Sequence, residues 1–118
     1  MRYLLMLYND ESFFATRPQA DIHAEMGAYF SFSTLVESQG KMAYKDALQD
    51  SRTATTVRVR DGKTITTDGP FAETREVLGG IYGIECDNLD QAIEFAAKIP
   101  TSWHGSVEIR PVIVYTMS

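Results

Sequence analysis

The sequence predicts an α+β domain, a mainly antiparallel sheet with two helices on one face. Three observations lead there. An apolar strand pattern opens the chain and a long helical pattern follows it. A strand–helix–strand succession closes it, and a hairpin signal lies between the two halves. The 118 residues fit one domain, 1–118. A chain of this size buries roughly two-thirds of its unfolded surface, so a core forms without disulfide or metal staples.

Tyr3 to Tyr8 is apolar at nearly every position, the pattern of a strand covered on both faces. The stretch "NDESFFATRP" then reads as a loop. From Pro18 to Gln39 the pattern is helical. Ile22, Met26, Tyr29, Ser33 and Val36 recur at spacings of three and four, and Phe30, Phe32 and Leu35 widen the stripe. Pro18 suits a first helical turn and Gly40 the position just past the end. Phe30 and Phe32 face different sides of an ideal helix, so the second side needs a cover, for which another subunit is the preferred reading.

Met42 to Tyr44 suits a brief strand, and "ATTVRVRDGKTITT" a hairpin. A three-residue loop, Arg60-Asp61-Gly62, would gather Val57, Val59 and Ile65 on one face, so the apolar pattern predicts that bulged register over a two-residue Asp-Gly turn. Gly80 to Cys86 is the next strand. Asn88 caps a helix running to Ile99, with Leu89, Ala92, Ile93 and Ala96 inward, and Pro100 stops it. "SVEIRPVI" alternates, with Val107, Ile109 and Ile113 inward and Pro111 at an edge or strand end. This order of elements is that of a ferredoxin-like α+β fold. Helices on one face leave the other face of the sheet to be buried, commonly against a second copy about a two-fold axis, so a homodimer is expected.

Charge and composition bound the function. Eleven Lys and Arg against sixteen Asp and Glu give a net charge of −5, and no basic stripe is present. That argues against direct nucleic-acid binding, which needs clustered cations on phosphates. Arg58, Arg60 and Arg110 read as a solvated strand face. No apolar run approaches the ~20 residues of a membrane span. The opening "MRYLLMLYNDE" lacks the apolar core and cleavage site of a signal peptide. Cys86 is the lone cysteine and cannot form an internal disulfide, so a cytoplasmic location is expected. No zinc-type His/Cys spacing, phosphate loop or dinucleotide fingerprint occurs, and no metal or cofactor is expected.

The segment Thr66–Gly80, "TTDGPFAETREVLGG", asks for more than a loop. Asp68 is suited to accept backbone hydrogen bonds and start a turn. Gly69 and Pro70 stiffen it. Burying Phe71 would contribute roughly 1.5–3 kcal/mol and pin the turn to the body. A rigid corner of this kind holds a carboxylate in a set place.

"DGPFAETREVLGG", with "MRYLLMLY" at the start and "SVEIRP" near the end, resembles the DGPF branch of the YCII-related domain family over almost the whole chain. The resemblance implies a dimeric ferredoxin-like fold of the dimeric α+β barrel type. It brings no established reaction. A histidine and an aspartate in the wider group suggest enzymatic activity, and fusions to sigma-70-type domains suggest an accessory role in transcription. Carried onto this chain, Asp68 is the motif acid. His23 follows Arg17-Pro18 at a different spacing from the family's histidine, and His104 is the other imidazole.

A histidine beside a carboxylate performs general acid–base chemistry near neutrality, so His23 with Asp68 is the catalytic candidate pair. Tyr8, Tyr29 and Tyr82 are candidate ligand-binding hydroxyls for a cleft between sheet and helix, and Arg75 a candidate for an acidic ligand group. Plain readings stand beside these: His23 solvated in a first helical turn, Asp68 capping a turn, His104 on a surface loop, the tyrosines packed in core or interface. Two functions follow. One is a small-molecule enzyme or ligand-binding protein with a pocket beside the Asp68–Gly80 segment. The other is a non-catalytic interaction module with a sigma factor as partner. Whether the protein is an enzyme stays open at this stage.

Overall fold

The structure, a computed structural model, describes residues 1–116. Its strands are β1 (Arg2–Asn9), β2 (Met42–Ala47), β3 (Thr55–Arg60), β4 (Lys63–Asp68), β5 (Val77–Glu85) and β6 (Ser106–Pro111). Its helices are α1 (Glu11–Ala15), α2 (Gln19–Ser38), α3 (Leu89–Ala97) and α4 (Thr101–His104). Strands β2-β5-β1-β6 form one antiparallel sheet, and β3-β4 form a separate hairpin. This is a ferredoxin-like α+β fold. No helix among the described residues is long and apolar enough to cross a membrane.

The alternation of β1 decides where the core sits. Tyr3, Leu5 and Leu7 are buried, and they meet Tyr82 and Ile84 of β5, Phe32 and Val36 of α2, and Ala92, Phe95 and Ala96 of α3. Three aromatic rings lock this layer. Phe32 packs edge-on against Tyr82 at 5.0 Å and against Phe95 at 6.4 Å. That ring contact turns α3 away from the expected stripe. Phe95 enters the core with Ala92 and Ala96, whereas Leu89 and Ile93 stay about half exposed. Asn88 caps α3 as its residue type predicts, its side chain accepting from the Gln91 N–H at 2.9 Å. Ile113, expected inward, lies beyond β6 and is exposed. Pro111 ends β6, an outer strand of the sheet, where its missing N–H costs nothing.

The hairpin departs from the predicted register. Arg60 pairs with Lys63 and Arg58 with Ile65, which leaves the two-residue turn Asp61-Gly62. Both turn residues have positive φ, 51° and 75°, as a primed hairpin turn requires. The apolar side chains exert no pull on the register, because Val57, Val59 and Ile65 are all exposed. With no buried face to satisfy, the preference of the turn wins.

The second face of the main sheet is uncovered. Leu4, Met6 and Ile81 remain half-exposed there, and the Tyr44 ring lies over Gly83, where an added Cβ would come within 2.4 Å of it. The chain is correspondingly flat, 52 × 48 × 18 Å, with a radius of gyration of 16.6 Å. A compact chain of this length would have about 13–14 Å.

Candidate functional site

Two hollows flank the Asn9 end of β1, one on each face of the sheet. On the uncovered face lies a groove of about 600 Å³. Tyr8, Val77 and Leu78 form its floor, Leu48 to Thr56 one wall, and Pro70 to Thr74 the other. This is the hollow expected beside the Asp68 turn. The turn is held there by its peptide groups: the Gly69 N–H donates to the Ala54 carbonyl at 2.7 Å, and the Thr56 hydroxyl donates to the Gly69 carbonyl at 2.8 Å. Gly69 has φ 96°, which suits glycine. Phe71 is no plug. It is 79% exposed, so the turn is pinned by backbone hydrogen bonds and presents its ring outward.

On the helix face lies a cleft of about 470 Å³ between α2, α4 and the ends of β1, β2 and β5. Leu7, Ala47 and the rings of Tyr29 and Tyr82 supply its apolar lining. Gly79 and Gly80 keep one wall to bare backbone. Tyr29 and Thr101 share a hydrogen bond of 2.5 Å between their hydroxyls. Burial pushes the phenols of Tyr29 and Tyr82 up, so both stay protonated at neutral pH. The side-chain oxygen of Asn9, another lining residue, is buried with no hydrogen-bond partner. Buried polar atoms are nearly always paired, so this oxygen marks a place where a hydrogen-bond donor is owed.

Behind the cleft runs a charged seam. The Arg17 Nη1 donates to Glu25 Oε2 at 2.6 Å, and His104 Nε2 lies 3.1 Å from the same oxygen. The three side chains are only 12–15% exposed. The His104 ring packs on Phe13 at 5.0 Å and edge-on to Phe14 at 5.7 Å, and the Arg17 guanidinium sits 5.0 Å from the Phe13 ring centre. The hydrogen bond from Arg17 first, and that from His104 after it, hold the Glu25 carboxyl below the usual carboxylate range. Glu25 and Tyr29 are four residues apart on α2, so seam and cleft share one helix face.

The candidate residues from sequence therefore divide. Tyr29 and Tyr82 line the cleft and Tyr8 the groove. Arg75, 90% exposed, lies on a third, polar depression and pairs with Asp10 at 3.3 Å. The Asp10 carboxyl is lowered chiefly by the Ser12 hydroxyl and then by Arg75. Asp68 and His23 are both exposed, line neither hollow and form no hydrogen bond with each other. Sequence reading missed Asn9, Thr101 and Glu25. Only Glu25 left a signal, as a charged residue one turn ahead of Tyr29 on the stripe. Among the described residues no group of three or more His, Cys, Asp or Glu is placed to hold a metal.

Gly105 sets the corner between α4 and β6 against this end of β1. A Cβ there would lie 2.3 Å from the Tyr8 carbonyl oxygen and 3.1 Å from the Asn9 side-chain oxygen. Backbone cannot yield as a flexible side chain does. Gly105→Ala is expected to cost about 1–3 kcal/mol, read as a fall in urea midpoint. An unchanged midpoint would show that the corner is looser than this contact implies.

A small α+β domain with a mostly apolar cleft carrying a few polar groups at one end of its sheet is the class these features define. By sequence the chain matches the YCII-related domain over residues 1–116 and belongs to that family. It is also 35% identical over 117 residues to an uncharacterized protein of Rhizobium meliloti (strain 1021), covering 98% of this chain and 94% of that protein.

Proposed function

We propose that this YCII-related protein is a small-molecule-binding protein or enzyme that works as a homodimer, with its ligand in the cleft between sheet and helices. The observation that carries the reading is the Asn9 side-chain oxygen, buried without a hydrogen-bond donor at a cleft that Gly79 and Gly80 keep open. At about 470 Å³ the cleft falls in the usual range of small-molecule sites. Gly79→Val tests it by filling the wall. Fragments found by ligand-observed NMR should bind the wild type and not the variant, at equal thermal stability. A screen without binders, or binders indifferent to the substitution, would sink the reading.

The homodimer rests on the flat shape and the uncovered Leu4, Met6 and Ile81. Sedimentation equilibrium should give twice the 13.2 kDa chain mass, and Leu4→Glu should return it to 13.2 kDa. A wild type sedimenting as a monomer at micromolar concentration would end this part of the proposal.

The exposed Phe71, together with Val57 and Val59 exposed on the hairpin, favours a second reading. In it the groove beside the Asp68 turn docks a protein, and a sigma factor is the partner the sequence resemblance suggests. Phe71→Ser should then abolish co-purification with a sigma factor. No co-purification with the wild type would remove this reading.

A further inference from the structure

Most polar groups of the cleft can donate. The Tyr29–Thr101 pair has one hydroxyl hydrogen left after its mutual bond and the Tyr82 phenol stays protonated, whereas the unpaired Asn9 side-chain oxygen is an acceptor and calls for a donor on the ligand. Lys45 stands at the mouth, opposite Tyr82 in the β2–β5 register. Its ammonium is 2.8 Å from Glu37 on α2, but both side chains are about half exposed, 47% and 49%. An exposed pair of that kind is worth about 0–1 kcal/mol, so Lys45 exchanges Glu37 for a better acceptor at little cost. The nearest acid in sequence, Asp46, alternates to the other face of β2, opposite Ile81. The cleft thus offers an apolar body, hydroxyl donors, one amide acceptor and one cation at its mouth, and Asp46, which also borders it, turns its carboxylate to the other face.

Resting on the ligand-cleft reading above, we infer that the cleft takes a small monocarboxylate with an apolar, ring-sized body, its carboxylate on Lys45 at the mouth and its ring between Leu7 and the two tyrosines. A carboxylate is the anion that matches one ammonium and neighbouring hydroxyl donors through charge-assisted hydrogen bonds. Lys45 is then the specificity-determining residue.

Benzoate, benzamide and benzylamine share the ring and differ in charge, so they serve as probes in an NMR titration of the backbone amides. Benzoate is expected to shift Gly79, Gly80 and Tyr82 and to bind about tenfold tighter than benzamide. Lys45→Met should erase that preference by weakening benzoate binding. Benzamide binding as well as benzoate, benzylamine binding best, or a benzoate preference that survives Lys45→Met, would each overturn the carboxylate assignment while leaving the cleft as a ligand site. No shift at these residues with any probe would overturn the assignment and count against the ligand-cleft reading too. Shifts confined to Phe71 and Leu78 would place the ligand in the opposite groove and overturn both.

Discussion

Leu5→Ala is expected to lower the unfolding free energy by about 2–5 kcal/mol, the range for emptying a fully buried leucine site. Leu5 is 0% exposed at the middle of β1, a central strand whose neighbours place Tyr82 on one side and Ile109 on the other. Strands on both sides and helices above fix its surroundings, so the cavity has little freedom to collapse. At about 4 °C per kcal/mol the melting temperature should fall by roughly 8–20 °C. The urea slope should stay unchanged, because the surface exposed on unfolding is nearly the same. A loss under about 1 kcal/mol would mean that Leu5 does not sit at the centre of the core. Leu4→Ala is the matched control. Leu4 points to the uncovered face, so its effect should depend on protein concentration if a second copy covers that face, and be small if none does.

The same alternation explains which parts of the fold were legible in the sequence. Strand β1 declares itself because burial selects its residues, α2 only in part, since Phe32, Ser33 and Val36 are buried while Met26 and Phe30 are exposed, and Asn88, Pro100 and Pro111 mark ends through their own backbone chemistry. Reading failed where burial was assumed and is absent. The hairpin register was inferred from an apolar face, but Val57, Val59 and Ile65 face solvent, and the Asp61-Gly62 turn decided instead. The cost of exposing a phenylalanine points Phe71 to the body, and in the isolated chain it is exposed all the same. Both misjudged segments border the groove where a partner would sit. A pattern written for an assembly misleads when it is referred to one chain.

Short elements were lost for another reason. Helix α1 has five residues, and its one signal is Asp10, whose carboxylate accepts from the Ser12 N–H at 3.0 Å. The candidate site was half legible. Tyrosines at helix and strand positions announce hydroxyls near a core, and Tyr29 and Tyr82 do meet at the cleft. The His104–Glu25 contact joins residues 79 apart, and no local spacing encodes it. The histidine that sequence reading paired with Asp68 is exposed, while the one assigned to a surface loop is held by a carboxylate.

That carboxylate carries the other large expected effect. Glu25→Leu should destabilise the protein at pH 7 more than any neutral hydrogen-bonding replacement, because it leaves the Arg17 guanidinium without its carboxylate. Glu25→Gln keeps the shape and one acceptor, and should cost about 1.5–3 kcal/mol as the charged hydrogen bond from Arg17 becomes a neutral one. The pH dependence separates charge from packing. The folded-state pKa of Glu25 lies below its unfolded value, with Arg17 the first cause. Its contribution is therefore fully present above the unfolded value of about 4.3, and is lost as pH falls through the lower folded value. Wild-type stability should decline across that acid window, and Glu25→Gln should show a shallower decline from a lower plateau. Parallel curves for the two proteins would mean that Glu25 titrates alike folded and unfolded, and that the seam is held by packing on Phe13 and Phe14 rather than by charge. Arg17→Met in the Glu25→Leu background completes the comparison. If the stranded guanidinium is the source of the loss, removing it should restore part of the stability, whereas a merely additive loss would point to packing.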